Sequence, residues 1–467
     1  MFINAPLRDY ARRPRVNDFT LPVLGMAYIA TYAATCGFNV AVLDAEAHGL
    51  PVDEAVAIAN TLRPRWVGLN LLAPTYEISA VIAERLDADI RIMVGGHHAK
   101  AMAVEILTDP RMRNVSALVI GEAETRVVEL LQDHRNRADL PGVMWIDPIL
   151  KTPVAGGRAG AGHHLAPDID RLPYVDRRYL TQDPRVAEDG RIEANMVGAR
   201  GCPYDCSFCG AAVSANPDVT IRVRRPYNIL GEMHALRDAY GVTAFRFVDD
   251  LFLGARRVID TMMAAFTADR VGSWAVWDAT GRINVLNRLP DAALDTLVTN
   301  GLREVALGIE SGNERMLQYI DKRINPAMIR DVVQRLGERG INVKGYFILG
   351  FPDETEAELN DTVTLVRELW DLTDRLPGRF RASVFEFRPY PGTPEWTRLM
   401  ATGRYTADQL LAYGAVDLTA NGADEAMRAR DEFNFSVGIQ FGETPVSVVR
   451  QHLADLSREQ YTRSVPA

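Results

Sequence analysis

Three thiols fall within eight residues of this chain, in Gly201-Cys-Pro-Tyr-Asp-Cys-Ser-Phe-Cys-Gly210, with gaps of three and two residues between Cys202, Cys206 and Cys209. Thiolates are soft ligands that suit iron–sulfur clusters. Three of them on a four-iron cube leave one iron open, and an open iron can chelate a small molecule. Tetrahedral zinc and a set of structural thiols are the alternatives. Zinc wants a fourth protein ligand, and the nearest histidine, His234, lies inside a helical pattern. A second group of candidates lies past predicted strand ends: Asp249 and Asp250 after Phe245-Arg-Phe-Val248, then Glu386, Arg388 and Tyr390. A carboxylate pair there can bind an amino group or act as acid and base beside a substrate hydroxyl. Capping of the next turn is the structural alternative for the two aspartates.

The rest of the chain must hold these groups in place. Its 467 residues are too many for one ordinary core and suggest two to three domains. With 47% hydrophobic and 24% charged residues, the composition is that of a folded globular protein. The net charge of -9 and the scatter of Lys and Arg among acids argue against nucleic acid as the main partner and favour a cationic or neutral small molecule. No apolar run reaches the roughly 20 residues needed to span a bilayer, and the amino terminus lacks the pattern of a signal peptide, so the expected location is the cytoplasm. The fourth cysteine, Cys36, sits in an apolar stretch and is expected in the core.

Residues 1–135 alternate short β-rich runs (2–4, 39–43, 66–70, 90–94, 117–120) with helical patterns, which predicts an α/β unit built on an open parallel, Rossmann-like sheet. Ligands of such sheets sit beyond the carboxyl ends of the strands. Here those ends carry Asp44, Leu71-Leu-Ala-Pro-Thr75, Gly95-Gly-His-His98 and Gly121-Glu-Ala-Glu124, without the Gly-x-Gly-x-x-Gly turn of a dinucleotide site. Residues 136–190 turn Pro- and Gly-containing and read as a linker, including the run from Val154 to Gly162. Over 191–400 six strands alternate with helices and predict a partial (β/α)6 TIM-type barrel whose reactive groups stand at its carboxyl mouth. Residues 401–467 read as a mixed segment with an aromatic patch from Phe433 to Phe441.

At the cysteine loop the sequence resembles the radical S-adenosylmethionine (SAM) superfamily. The Cys-x-x-x-Cys-x-x-Cys signature is matched by Cys202, Cys206 and Cys209, with the aromatic Phe208 before the last. Further matching stretches follow: Trp274 to Arg282, Gly308-Ile-Glu-Ser-Gly-Asn-Glu314, Gly345 to Glu354, and Arg388-Pro-Tyr-Pro-Gly-Thr393. The resemblance implies a [4Fe-4S] cluster whose open iron binds SAM, reductive cleavage to a 5'-deoxyadenosyl radical, and hydrogen abstraction from substrate. It implies Glu310 and Ser311 as SAM contacts, Arg282 as partner of the SAM carboxylate, and Ile348 and Gly350 beside adenine.

Residues 1–135 resemble the cobalamin-binding domain that precedes many radical SAM cores, on Leu21 to Ala30, Asp44, Pro74-Thr-Tyr76, Gly95-Gly-His-His98 and Gly121-Glu-Ala-Glu124. The Asp-x-His-x-x-Gly loop that supplies a cobalt-ligating histidine is absent, since Leu7-Arg-Asp-Tyr-Ala-Arg12 follows the first strand. Cobalamin is therefore left open, with His97 and His98 as nearby imidazoles. In composition and organisation the chain looks most like radical SAM enzymes that tailor antibiotics in actinobacteria, and within that group it resembles the aminoglycoside 1,2-diol dehydratases of apramycin-type pathways. That implies dehydration of an amino sugar, with Asp249, Asp250, Glu386 and Tyr390 as acid and base candidates. The implied partners are an amino sugar or aminoglycoside, an electron donor such as flavodoxin or ferredoxin, and a separate reductase; nucleic acid and membrane are excluded. A cobalamin-dependent radical SAM C- or P-methyltransferase is the rival reading, and a non-catalytic cobalamin or cluster sensor a third.

Overall fold

The computed structural model describes residues 1–12, 20–157, 167–187, 189–216, 221–418 and 435–464. The glycine run beyond Gly157 and Phe433 of the aromatic patch lie outside the described residues. The chain divides into two compact units. The first holds Met1–Asp183 with Val213–Thr220 and Tyr390–Leu411, and the second holds Pro184–Ala212, Ile221–Pro389 and Ala412–Ala467.

The first unit is built on a seven-stranded sheet of order β2-β1-β3-β4-β5-β6-β7. Its strands are β1 (Phe2–Asn4), β2 (Val42–Asp44), β3 (Trp66–Asn70), β4 (Arg91–Gly95), β5 (Val115–Val119), β6 (Val143–Ile146) and β7 (Pro153–Ala155). The first five are parallel, and β6 and β7 are antiparallel additions at one edge. The parallel strands are apolar on both faces because helices cover both. Trp66, Val67 and Leu69, for example, are all buried. Gly68 has a packing reason, since a Cβ there would lie 2.4 Å from the Phe2 ring. Reading 136–190 as linker misses β6 and β7, which at four and three residues are too short for alternation to show. Cys36 is also corrected. It caps helix Leu24–Thr35 one position past the buried face and is exposed.

The second unit carries a sheet of order β16-β15-β14-β13-β12-β9-β8. Its elements are β8 (Arg185–Val186), β9 (Ile192–Met196), β12 (Ala244–Phe247), β13 (Val276–Gly281), β14 (Leu302–Glu310), β15 (Asn342–Leu349) and β16 (Phe380–Glu386). The six from β9 to β16 are parallel, and β8 is an antiparallel edge. This is the curled partial (β/α)6 barrel that the alternation predicts. In β15, Val343, Phe347 and Leu349 are buried against helices while Lys344, Tyr346 and Ile348 occupy the opposite, inner face. Beneath the barrel wall Trp277 is fully buried among Phe247, Phe252 and Phe266, all in edge-on geometry. Burying one such ring is worth on the order of 5 kcal/mol of transfer free energy.

The connecting helices start where side chains satisfy their first amides. Asn325 caps helix Pro326–Glu338, and Thr355 with Glu358 forms a capping box on helix Glu356–Thr373. Helix Pro226–Tyr240 starts on proline and ends on Gly241 at φ 72°, as its sequence predicts. Of the carboxy-terminal segment, helix Val446–Ser464 packs on β16 and puts Val449, Leu453 and Leu456 into the same core. Among the described residues no helix is long and apolar enough to cross a membrane.

Candidate functional site: the cysteine loop and the barrel mouth

The cysteine loop leaves the carboxyl end of β9 and is closed at its base by a short antiparallel ladder of β10 (Ala199–Arg200) with β11 (Arg222–Val223). Buried Arg224 fastens that base, donating to the Val197 carbonyl at 2.8 Å and to Glu232 Oε2 at 2.6 Å. Cys206 is buried, and Cys202 and Cys209 are partly so. Burial raises the thiols of Cys202 and Cys209, the latter to about 12. They become thiolates only against positive charge, which a bound metal cluster supplies.

Arg282, at the end of β13, packs on this loop. Its Nη1 donates to Cys206 Sγ at 3.4 Å, its Nη2 to the Lys322 carbonyl at 2.7 Å, and its guanidinium carbon stands 3.7 Å from the Tyr204 ring centroid. It is 7% exposed, and its Nε is buried without a partner. The family resemblance implies a SAM carboxylate for Arg282, and here its guanidinium also meets the Cys206 sulfur. Glu310 ends β14 at a register shift, in the left-handed region at φ 70°, and its Oε1 accepts from Lys322 Nζ at 2.7 Å. Gly308 makes room for that pair, since a Cβ there would stand 2.4 Å from Glu310 Oε1 and 2.5 Å from Lys322 Nζ.

Lys322 is the residue that sequence reasoning missed. Scarcity could have found it, because only four of the chain's 52 Lys and Arg residues are lysine. Phe208 stands edge-on to Phe351 at 5.7 Å, with Lys322 Nζ 6.0 Å from its ring centroid.

The remaining predicted residues separate into those at the mouth and those away from it. Asp249, at the end of β12, accepts the Gly198 N–H on Oδ1 at 2.8 Å, and its Oδ2 is buried without a partner. Desolvation pushes its carboxyl up to about 7, so protonated and ionised forms are both populated near neutrality. Asp250 is exposed. Ser311 is fully buried, meets Thr362 Oγ1 at 3.1 Å and accepts the Asn313 N–H, a turn-locking role. Ile348 lies on the inner face in register with Phe385. Gly350 stands at φ 83° and donates its N–H to buried Glu354 at 2.7 Å. Glu386 does not join the inner face. It bonds Ser436 and Arg450 (3.0 Å), while its neighbour Phe385 stacks on Tyr346 at 6.4 Å. Arg388 donates to the Phe435 carbonyl at 3.2 Å. Tyr390 is grouped with the first compact unit.

The donor set fits an iron–sulfur cluster. Three soft thiols share one loop, a guanidinium N–H is already aimed at one sulfur, and a buried Nε is left for a further acceptor. Among the described residues no three His, Cys, Asp or Glu side chains are gathered to hold a single ion. A cube takes each thiolate on a different iron, so such gathering is not required of it. The zinc alternative finds no ligand in His234, which is 2.9 Å from Asp269 Oδ2 and stacks on Trp274.

In the first unit, the carboxyl strand edge carries Asp44, which accepts from Asn4 Nδ2 at 2.8 Å, and Gly96 at φ 99°. His98 is buried, its Nδ1 has no partner, and burial lowers its imidazole to about 4, so it is neutral. A neutral imidazole can accept a hydrogen bond or bind a metal. It lies in ring contact with Tyr76 at 4.9 Å.

Comparison with known proteins finds two domain families along the chain. Residues 196–366 match the Radical SAM superfamily, and residues 16–131 match the B12 binding domain. The chain is 27% identical to the uncharacterized methyltransferase PH0819 of Pyrococcus horikoshii, over 86% of this chain and 84% of that protein. It is 24% identical to the cytidylyl-2-hydroxyethylphosphonate methyltransferase of Streptomyces wedmorensis, over 79% and 76%. The fold is shared with the radical SAM methyltransferase TsrM of Kitasatospora setae, solved with cobalamin and a [4Fe-4S] cluster, at TM-score 0.66 and 17% identity over 89% of this chain and 79% of that one. The cofactor set of [4Fe-4S] cluster and SAM, with cobalamin as the third candidate, is the one these domains support. The dehydration reading is overturned, because relatives that span both units are named methyltransferases.

Proposed function

We propose that this chain, a radical SAM domain preceded by a B12 binding domain, is a methyltransferase that places a methyl group on a carbon or phosphorus centre of a small polar metabolite. The observation that carries the proposal is the pairing of the two domains in one chain, along which methyltransferase relatives match over 79% and 86% of its length. When bound, cluster and SAM supply the one-electron chemistry that activates an unreactive centre, and cobalamin carries the methyl group. Cys202, Cys206 and Cys209 would hold the cluster. Lys322 and Glu310 present an ammonium and a carboxylate at the barrel mouth, a pair that matches the charged amino-acid end of SAM. Asp249, buried past the end of β12 with its carboxyl raised to about 7, can exchange a proton near neutrality. Tyr346 and Phe385 give the inner face an apolar aromatic wall for substrate. A flavodoxin- or ferredoxin-type donor would deliver the electron.

The test uses full-length protein, reconstituted anaerobically with iron and sulfide and loaded with hydroxocobalamin. It is reduced in the presence of SAM carrying a deuterated methyl group. Corrinoid recovered with the labelled methyl supports the reading. Failure to retain corrinoid, or retention without label, refutes it.

A further inference from the structure

We infer that Arg282 is a positioning residue that sets the reduction potential of the cluster and ties the cysteine loop to the turn presenting Lys322. The inference rests on the cysteine loop holding a cluster and not on methyl transfer.

The geometry ties Arg282 to both the cysteine loop and the Lys322 turn. One terminal nitrogen is committed to Cys206 Sγ at 3.4 Å, the other to the Lys322 carbonyl at 2.7 Å, and the Tyr204 ring lies 3.7 Å from the guanidinium carbon. Two of its five N–H groups are thus spent on the cysteine loop and the Lys322 turn, and its buried Nε keeps an N–H for a further acceptor. The result is a cation buried against a ligand sulfur.

An N–H donated to a cluster sulfur stabilises the reduced, more negative cluster, and so does a nearby positive charge of low exposure. Both effects act in the same direction here. The turn on the far side is strained. Asp321 and Arg323, which flank Lys322, both sit in the left-handed region, at φ 51° and 58°. Non-glycine residues there cost energy that surrounding contacts must offset. Two contacts from the cluster side do so. Arg282 holds the Lys322 carbonyl, and the Ser207 N–H holds the Ile320 carbonyl at 3.2 Å. The arginine is thus the shared anchor of Cys206 and of the backbone that aims Lys322 at Glu310.

The experiment is a potentiometric titration of the reconstituted full chain without SAM, following the reduced cluster by electron paramagnetic resonance. Arg282→Gln removes hydrogen bond and charge, and Arg282→Lys keeps the charge. Arg323→Gln removes an exposed cation that also feels Cys206 and serves as the control for charge alone. Arg282→Gln is expected to shift the reduction equilibrium at least tenfold toward the oxidised cluster, about 59 mV for one electron. Arg282→Lys should shift it less than fivefold, and Arg323→Gln less than twofold. The inference is overturned if Arg282→Gln titrates within twofold of the unmodified chain, or if Arg323→Gln moves the potential as far. It is also overturned if both Arg282 variants fail to retain iron, since Arg282 would then serve folding or assembly alone.

Discussion

Replacing Lys322 by Met strips the buried carboxylate of Glu310 of its only ammonium partner among the described residues. The two side chains are 7% and 8% exposed and meet at 2.7 Å. At that separation their attraction is about 6 kcal/mol at an effective dielectric constant of about 20, well above the value of an exposed pair. The desolvation of two charges offsets most of this gain. Removing one partner forfeits the attraction and keeps the cost of the other, about 3 to 5 kcal/mol. For a unit of roughly 250 residues, 3 kcal/mol corresponds to a melting shift of about 6 to 12 °C. The assay is a double-mutant cycle of Lys322→Met, Glu310→Gln and the pair, with thermal unfolding followed by tryptophan fluorescence. Each single change should be costly, and the double variant should be at least 1.5 kcal/mol more stable than the sum of the two predicts. A Lys322→Met protein melting within about 2 °C of the unmodified chain would refute the reasoning, and so would strict additivity.

Three further outcomes are expected. Cys206→Ala should leave the reconstituted protein without the sulfide-to-iron absorption and without 5'-deoxyadenosine formation, with far-ultraviolet ellipticity unchanged; residual 5'-deoxyadenosine equal to that of the unmodified chain would count against the cluster. Glu354 is buried and desolvation raises its carboxyl from 4.5 to about 7, so its contribution to stability is complete below pH 4.5 and lost as the pH rises through 7. Glu354→Gln removes that loss, about 2.5 kcal/mol between pH 5 and pH 8, and over that window its melting temperature relative to the unmodified chain should rise by about 5 to 10 °C. A difference independent of pH would contradict it. Gly96→Ala adds a Cβ 2.3 Å from Asn70 Oδ1 and 2.8 Å from the Leu71 carbonyl, at a φ that disfavours alanine. It should weaken hydroxocobalamin retention at least tenfold, about 1.4 kcal/mol, and unchanged retention would place the corrin away from this strand edge.

The sequence by itself determined the elements and the metal loop. Periods of two and 3.6 residues report which residues face a core, and three cysteines on one short loop need no long-range information to be read as a shared site. Residues 196–366 and 16–131 accordingly match the domains that those patterns resembled. Tertiary structure decided what depends on contacts across distant segments. Glu386 and Phe385 are adjacent in sequence, yet only Phe385 reaches the inner face, because alternation turns successive residues to opposite sides and helix Val446–Ser464 claims the outer one. Cys36 is exposed because one residue past a helix is enough to leave a buried face. β6 and β7 exist because β5 offered an edge to pair with, a partner that no local pattern announces. Arg282 meets Cys206 across 76 residues, and Lys322 meets Glu310 across a turn whose backbone is held by Arg282 and by Ser207 of the cysteine loop. The residue types were legible, but their partners were not, since a partner is chosen by packing that only the folded chain brings about.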